Sequence, residues 1–137
     1  MVHALRQAHN LLNPNGLLIN VQDLPIPHVI EVHSADAVIK AGWMLESDDF
    51  RDERAALNAL SHVVSEGYFQ LEDERDFGFN QHFDNVRELQ QWFAEGWESA
   101  VLPDKTIQRL EEIIGQAGQL AKVVLKTPTR MTRLKVE

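Results

Sequence analysis

Apolar positions recur along the chain with two periods, about 3.6 and 2, and the switches between them mark its elements. Leu5, Ala8, His9 and Leu12 share one stripe, which predicts a helix over Val2–Asn13. Pro14 cannot extend it, and Asn15-Gly16 tolerates the positive φ of a tight turn. The apolar-rich run LLINVQ, residues 17–22, then reads as a strand of the kind that is covered on both faces. DLPIPH, residues 23–28, is a loop, because prolines at alternate positions stop regular pairing. VIEVHS and AVIKAGWML flank Ala35-Asp36 as a hairpin, with Gly42 marking a bulge.

The strongest helical pattern covers Asp48–Glu66. Phe50, Leu57, Leu60 and Val64 line one face with Ala56 and Val63 beside it, Ser47 or Asp48 is placed to cap the start, and Gly67 ends it. Residues 68–83, YFQLEDERDFGFNQHF, alternate, with Phe69, Leu71, Phe77, Phe79 and Phe83 pointing one way. Asp73 and Arg75 break that face, which predicts either two strands or one long strand whose middle leaves the core. Asp84 is placed to cap a helix carrying Val86, Leu89, Trp92 and Phe93. Pro103 then opens a helix carrying Ile107, Leu110, Ile113, Ile114 and Ala117, which Gly118 closes. KVVLKTPTRMTRLKV, residues 122–136, is the last strand, and Pro128 within it demands an edge, a bulge or a break. The prediction is one α/β or α+β domain over residues 1–137, its helices packed on a mainly antiparallel sheet.

Composition narrows the class. The chain has 137 residues, 25% of them charged, and a formal net charge of −8, a size and polarity that suit one globular domain and disfavour nucleic acid as a partner. The apolar runs are too short to span a bilayer and the first residues do not read as a signal peptide, so a cytoplasmic location is expected. Without cysteine there is no disulfide, thiolate ligand or thiol nucleophile. Acids crowd residues 46–76, while Lys122, Lys126, Arg130, Arg133 and Lys135 crowd the tail. Either the two regions complement each other, or are simply solvated, or the tail forms a basic patch for an anionic ligand.

The opening ALRQAHNLLNPNGLLINVQ resembles the helix–turn–strand segment of class I S-adenosylmethionine-dependent methyltransferases, with Pro14-Asn15-Gly16 at a turn that is Pro-Gly-Gly-like in the family. The elements that follow, and the ending TPTRMTRL, are similar to the C-terminal half of that Rossmann-like fold. The resemblance covers essentially the whole chain but about half of such a domain. It implies S-adenosylmethionine as cofactor of the full family domain and none for this chain, because the family's glycine-rich turn and the acidic end of its second strand have no counterpart here. The seven glycines form no Gly-x-Gly-x-Gly run. By analogy the loop from Asp23 to His28 borders a pocket for an unidentified small-molecule acceptor. Trp43, freer than Trp92, joins Asp23 and His28 as a candidate substrate contact, and Trp97 shares that freedom.

Other chemistry is thinly supported. No His pair has metal-ligand spacing: His28 and His33 fall on opposite faces of a strand, and His3 and His9 are a poor helical pair, so no metal site is expected. His28, Glu31 and His33 are proton-transfer groups by type, as is His82 near Asp84, but solvated hairpin positions explain them equally well. No serine sits in a Gly-x-Ser-x-Gly elbow. Asp73 and Arg75 either follow a bend into solvent or line a cavity as a polar pair. The chain is therefore expected to be inactive alone, as a fragment, the product of a misplaced start or a degenerate methyltransferase relative. The alternative is a non-catalytic binding or dimerisation module, and a small enzyme using the His28/His33 hairpin has no specific support. Because no strand precedes LLINVQ, a homodimer is expected to cover the open edge near residues 17–22.

Overall fold

The computed structural model describes residues 1–118 and 120–137. In chain order the elements are α1 (Val2–Leu11), β1 (Leu17–Asp23), β2 (His28–His33), β3 (Val38–Glu46), α2 (Arg51–Ser65), β4 (Phe69–Phe83), α3 (Val86–Gly96), β5 (Ala100–Val101), α4 (Asp104–Ala117) and β6 (Lys122–Val136). The strands form a six-stranded sheet in the order β1-β6-β2-β3-β5, with β4 also pairing β6. The β1–β6, β2–β3, β2–β6 and β3–β5 pairs are all antiparallel, so the class is α/β with a mainly antiparallel sheet, as the sequence predicts. No helix among the described residues is long and apolar enough to cross a membrane. The fold divides into two compact units, one of Met1–Pro25, Phe50–Phe77 and Thr129–Glu137, the other of Ile26–Asp49 and Gly78–Pro128.

In the first unit α1 packs on α2, and both cover one face of the sheet. Leu5 from α1, Ala59, Leu60 and Val63 from α2, Phe69 from β4 and Leu134 from β6 are buried together. Each fully buried Leu or Phe stabilises the fold by roughly 1.5–3 kcal/mol. Leu17 to Asp23 pair in register with Lys135 to Thr129. On the other side of β6, ion pairs join Arg133 to Glu72 and Arg130 to Asp76. Rising numbers on one strand meet falling numbers on the other, so β4 and β6 run in opposite directions here.

Several expectations for this unit need correction. LLINVQ is not covered on both faces: Leu17, Ile19 and Val21 are 47%, 53% and 58% exposed, alternating with half-buried Leu18, Asn20 and Gln22. The reason is that the helices α1 and α2 supply only one layer. Helix α2 starts at Arg51, not Asp48, because Asp49 and Phe50 take left-handed backbone conformations, and neither Ser47 nor Asp48 caps it. Phe50 is buried at the cap position instead of lying on the helix face. Of the two alternatives for residues 68–83 the structure takes the second, one long strand β4 whose middle leaves the core: Phe69 and Phe83 are buried, whereas Leu71, Phe77 and Phe79 are exposed and so do not share their face with them in the core.

In the second unit α4 packs on the β2–β3 hairpin. Its core joins Ile30, Val32 and Met44 from the hairpin with Leu89, Phe93, Leu110 and Ile113 from α3 and α4 and Val123 and Leu125 from β6. The hairpin register slips between Ile30 and Glu31, which face Gly42 and Lys40, so Ala41 is the bulged residue beside Gly42. Asn85, not Asp84, caps α3: its side chain accepts from the Glu88 N–H at 2.9 Å, while Glu88 reaches back to the Asp84 N–H at 2.8 Å. Pro103 is the cap of α4 and not its first turn, and Gly118 ends that helix at φ 84°. Pro128 lies between the ladders that β6 makes with β2, over Lys122–Lys126, and with β1, over Thr129–Lys135, and belongs to neither.

Gly42 is required by packing. A Cβ there would overlap the Thr106 side chain of α4. Gly42→Ala is therefore expected to lower the unfolding free energy by about 1–3 kcal/mol, read from the urea midpoint. An unchanged midpoint would contradict this close approach of strand and helix.

Candidate functional site

The hairpin of the second unit presents two different faces. Along β2 the burial alternates, with His28, Ile30 and Val32 inward and Val29, Glu31 and His33 outward. His28 faces Met44 in the register, while Trp43 faces Val29, so the His28 and Trp43 side chains leave on opposite sides and form no joint site. Asp23 ends β1 in the other unit; partial burial raises its carboxyl pKa above the usual range.

On the inner face His28 is completely buried. Its ring stands edge-on to Trp97 at 4.9 Å between centroids, and its Nδ1 lies 3.2 Å from the Thr127 hydroxyl. Loss of solvent pushes its pKa down to about 4, so the ring is neutral at pH 7. Trp97 Nε1 donates to Glu46 Oε1 at 2.6 Å and the Ser99 hydroxyl donates to Glu46 Oε2 at 2.9 Å. Base, indole, hydroxyl and carboxylate are thus close in space, but a ring sealed from solvent exchanges no proton with a substrate. The array fixes the end of β3 to the segment after α3. Trp97 is committed to it, and Trp92 packs against the same core.

On the outer face the Glu31 carboxylate sits 2.7 Å from His33 Nε2, and the His33 ring meets the His82 ring edge-on at 6.0 Å. Asp84 does not serve His82; its carboxylate takes Lys122. Glu31, His33 and His82 are proton-transfer groups by type. Among the described residues no cluster of three or more His, Asp or Glu has the arrangement of a metal site.

Trp43 is different. It is half exposed, with Lys40 Nζ 3.5 Å from its ring centroid in a cation–π contact. It borders a cavity of about 470 Å³ whose walls include Pro27, Gly42, Leu45, Pro103 and Lys105. The Thr106 hydroxyl donates to the Trp43 carbonyl at 3.4 Å, which ties α4 to the wall. Apolar walls with one aromatic face and Lys105 suit a flat, mostly apolar ligand, and the Thr106 hydroxyl on the wall is engaged with the Trp43 carbonyl. The bulge at Ala41 that opens this wall was legible from Gly42. Pro103, Lys105 and Thr106 come from a helix some sixty residues away, and no local pattern joins them to Trp43.

The crowded charges resolve as complementary. Arg130 binds Asp76 through two nitrogens at 2.7 and 2.9 Å and Glu74 at 3.1 Å, and Arg133 binds Glu72 at 2.8 Å. The bonds to Asp76 hold the Arg130 pKa up and the Asp76 pKa down. Two tail arginines are therefore occupied by the acidic stretch and form no patch for an anion. Asp73 and Arg75 pair with each other at 3.0 Å in the open, which favours the solvent bend over a cavity.

The buried His28 gives stability a pH dependence. Unfolded, the ring titrates near 6.5; folded, only near 4. Between those values the unfolded chain holds more protons, so stability is full above pH 6.5 and falls as the pH drops toward 4, by on the order of 3 kcal/mol. Urea midpoints across this window should fall more steeply for wild type than for His28→Gln, and equal slopes would contradict the buried neutral ring. Comparison with protein-family models, with curated proteins and with solved structures finds no match.

Proposed function

We propose that this chain acts as the C-terminal half of a methyltransferase-like domain, silent towards S-adenosylmethionine alone and built to complete its sheet through β1. The observation that carries the reading is the state of β1. Its partner is β6, and among the described residues no strand pairs its other edge. Leu17, Ile19 and Val21 stand exposed on one face of that strand. Native edges are usually blunted by charge, proline or a bulge. Leu17–Gln22 has none of these, and the first charge is Asp23. Such an edge is suited to receive another strand together with an apolar layer over its open face.

The order of elements also supports the reading. Helix α1, the tight turn, β1, α2, β4, α3, α4 and β6 come in the order that the resemblance implies, with the β2–β3 hairpin and the short β5 inserted among them. In the complete domain the chain would contribute acceptor contacts, with the Trp43 cavity the best-formed surface for an apolar acceptor. Methyl transfer itself would need the cofactor-binding half, because no glycine-rich turn stands in this chain. We place this activity in the cytoplasm. In isolation, a second copy is the partner that covers the β1 edge.

Two measurements test this. Calorimetric titration of the purified chain with S-adenosylmethionine should show no saturable heat, and clear saturation would contradict the division of labour. Sedimentation at rising concentration should show a dimer that Val21→Lys returns to a monomer, because a lysine in the middle of the edge opposes pairing. A wild-type chain that stays monomeric at high concentration would remove the role given to β1.

A further inference from the structure

Within the first unit, a groove of about 460 Å³ runs between α2 and the sheet. Leu57, Leu60 and Val64 of α2 form one wall, and Leu71 and Leu134 form part of the other. Its size lies in the range of small-molecule sites. Two polar features are built into it. The first is Thr132, a groove-lining residue only 3% exposed, whose hydroxyl has no hydrogen-bond partner. A buried hydroxyl without a partner is a standing cost, removed by any ligand that pairs with it. Rotation about its Cα–Cβ bond moves the hydroxyl among three staggered positions, so the oxygen can turn towards a ligand without backbone movement.

The strand opposite repeats the same deficit. Asn20 faces Thr132 across the β1–β6 register and donates to Gln22 Oε1 at 2.9 Å, leaving the buried Gln22 Nε2 without a partner. Two unpaired polar atoms therefore lie on the sheet face that α2 covers. The second feature is charge at the groove. Arg130 is matched by Glu74 at 3.1 Å and by Asp76 through two nitrogens. One guanidinium against two carboxylates gives no attraction for an anion, and apolar walls disfavour a bare ammonium.

We infer that this groove is a binding site for an uncharged aliphatic molecule bearing one hydroxyl or carbonyl head, which pairs with Thr132 while its chain lies along Leu57, Leu60 and Val64. The site is separate from the Trp43 cavity and independent of any methyl transfer. Ser61, exposed on α2 at the groove, sets its entrance.

The test uses 1-octanol as the probe, with octanoate as its charged counterpart, and follows backbone amide shifts of the full chain. Octanol should give saturable shifts at residues 57–65 and 130–134, with octanoate weaker at pH 7. Thr132→Val removes the hydroxyl at constant shape and should weaken octanol by about five- to tenfold, the worth of one hydrogen bond. Ser61→Trp fills the entrance from an exposed position and should abolish the shifts with the fold retained by circular dichroism. No saturable shifts at these residues would overturn the inference. So would equal octanol affinity in Thr132→Val, or octanoate binding as tightly as octanol.

Discussion

The arrangement depends on the antiparallel pairing of β6. Over Lys122–Lys126 that strand pairs β2, and its buried Val123 and Leu125 belong to the core of the second unit. Over Thr129–Lys135 it pairs β1, and its buried Leu134 belongs to the core of the first. A strand shows alternate residues to opposite faces, so a slip of one residue would turn these side chains outward and bring lysines and arginines in. Two features oppose such a slip: apolar burial on the inner face, and Arg130 and Arg133 held by acids of β4. The exposed ion pairs contribute little energy singly, and their weight is in fixing register.

Much of this was legible in the sequence because it follows from local chemistry. Pro14 and Gly16 end one element and begin the next, the stripe through Leu57, Leu60 and Val64 makes a helix, and Gly42 marks the bulge at Ala41. What was not legible depends on residues far apart. Whether Leu17, Ile19 and Val21 are covered turns on how many helical layers reach β1, which no window around LLINVQ contains. The late start of α2 comes from left-handed backbone at Asp49 and Phe50; an aspartate tolerates that state, but a phenylalanine gives no local sign of it. The alternation of β4, broken at Asp73 and Arg75, left open where the strand leaves the core, and Phe77 and Phe79 prove to be about half exposed.

The candidate sites divide the same way. His28 and Trp43 are both real features of the hairpin, but the two-residue period of a strand sends them to opposite faces. That period was sufficient to separate His28 from His33 at the outset. The carboxylate that organises the inner face, Glu46, was missed because its donors Trp97 and Ser99 lie 51 and 53 residues away. Thr132 gave no signal either, since a threonine in a strand is ordinary until its hydroxyl is found buried without a partner.

Among the described residues β1 pairs β6 alone, and its other edge carries no strand. Amide hydrogen exchange across Leu17–Asp23, measured in dilute and concentrated protein, tests it most directly. Alternate amides that point away from β6 should exchange rapidly when dilute and become protected when concentrated, while their neighbours bonded to β6 stay protected throughout. Protection of every β1 amide in dilute protein would show that the edge is already covered and would contradict the account.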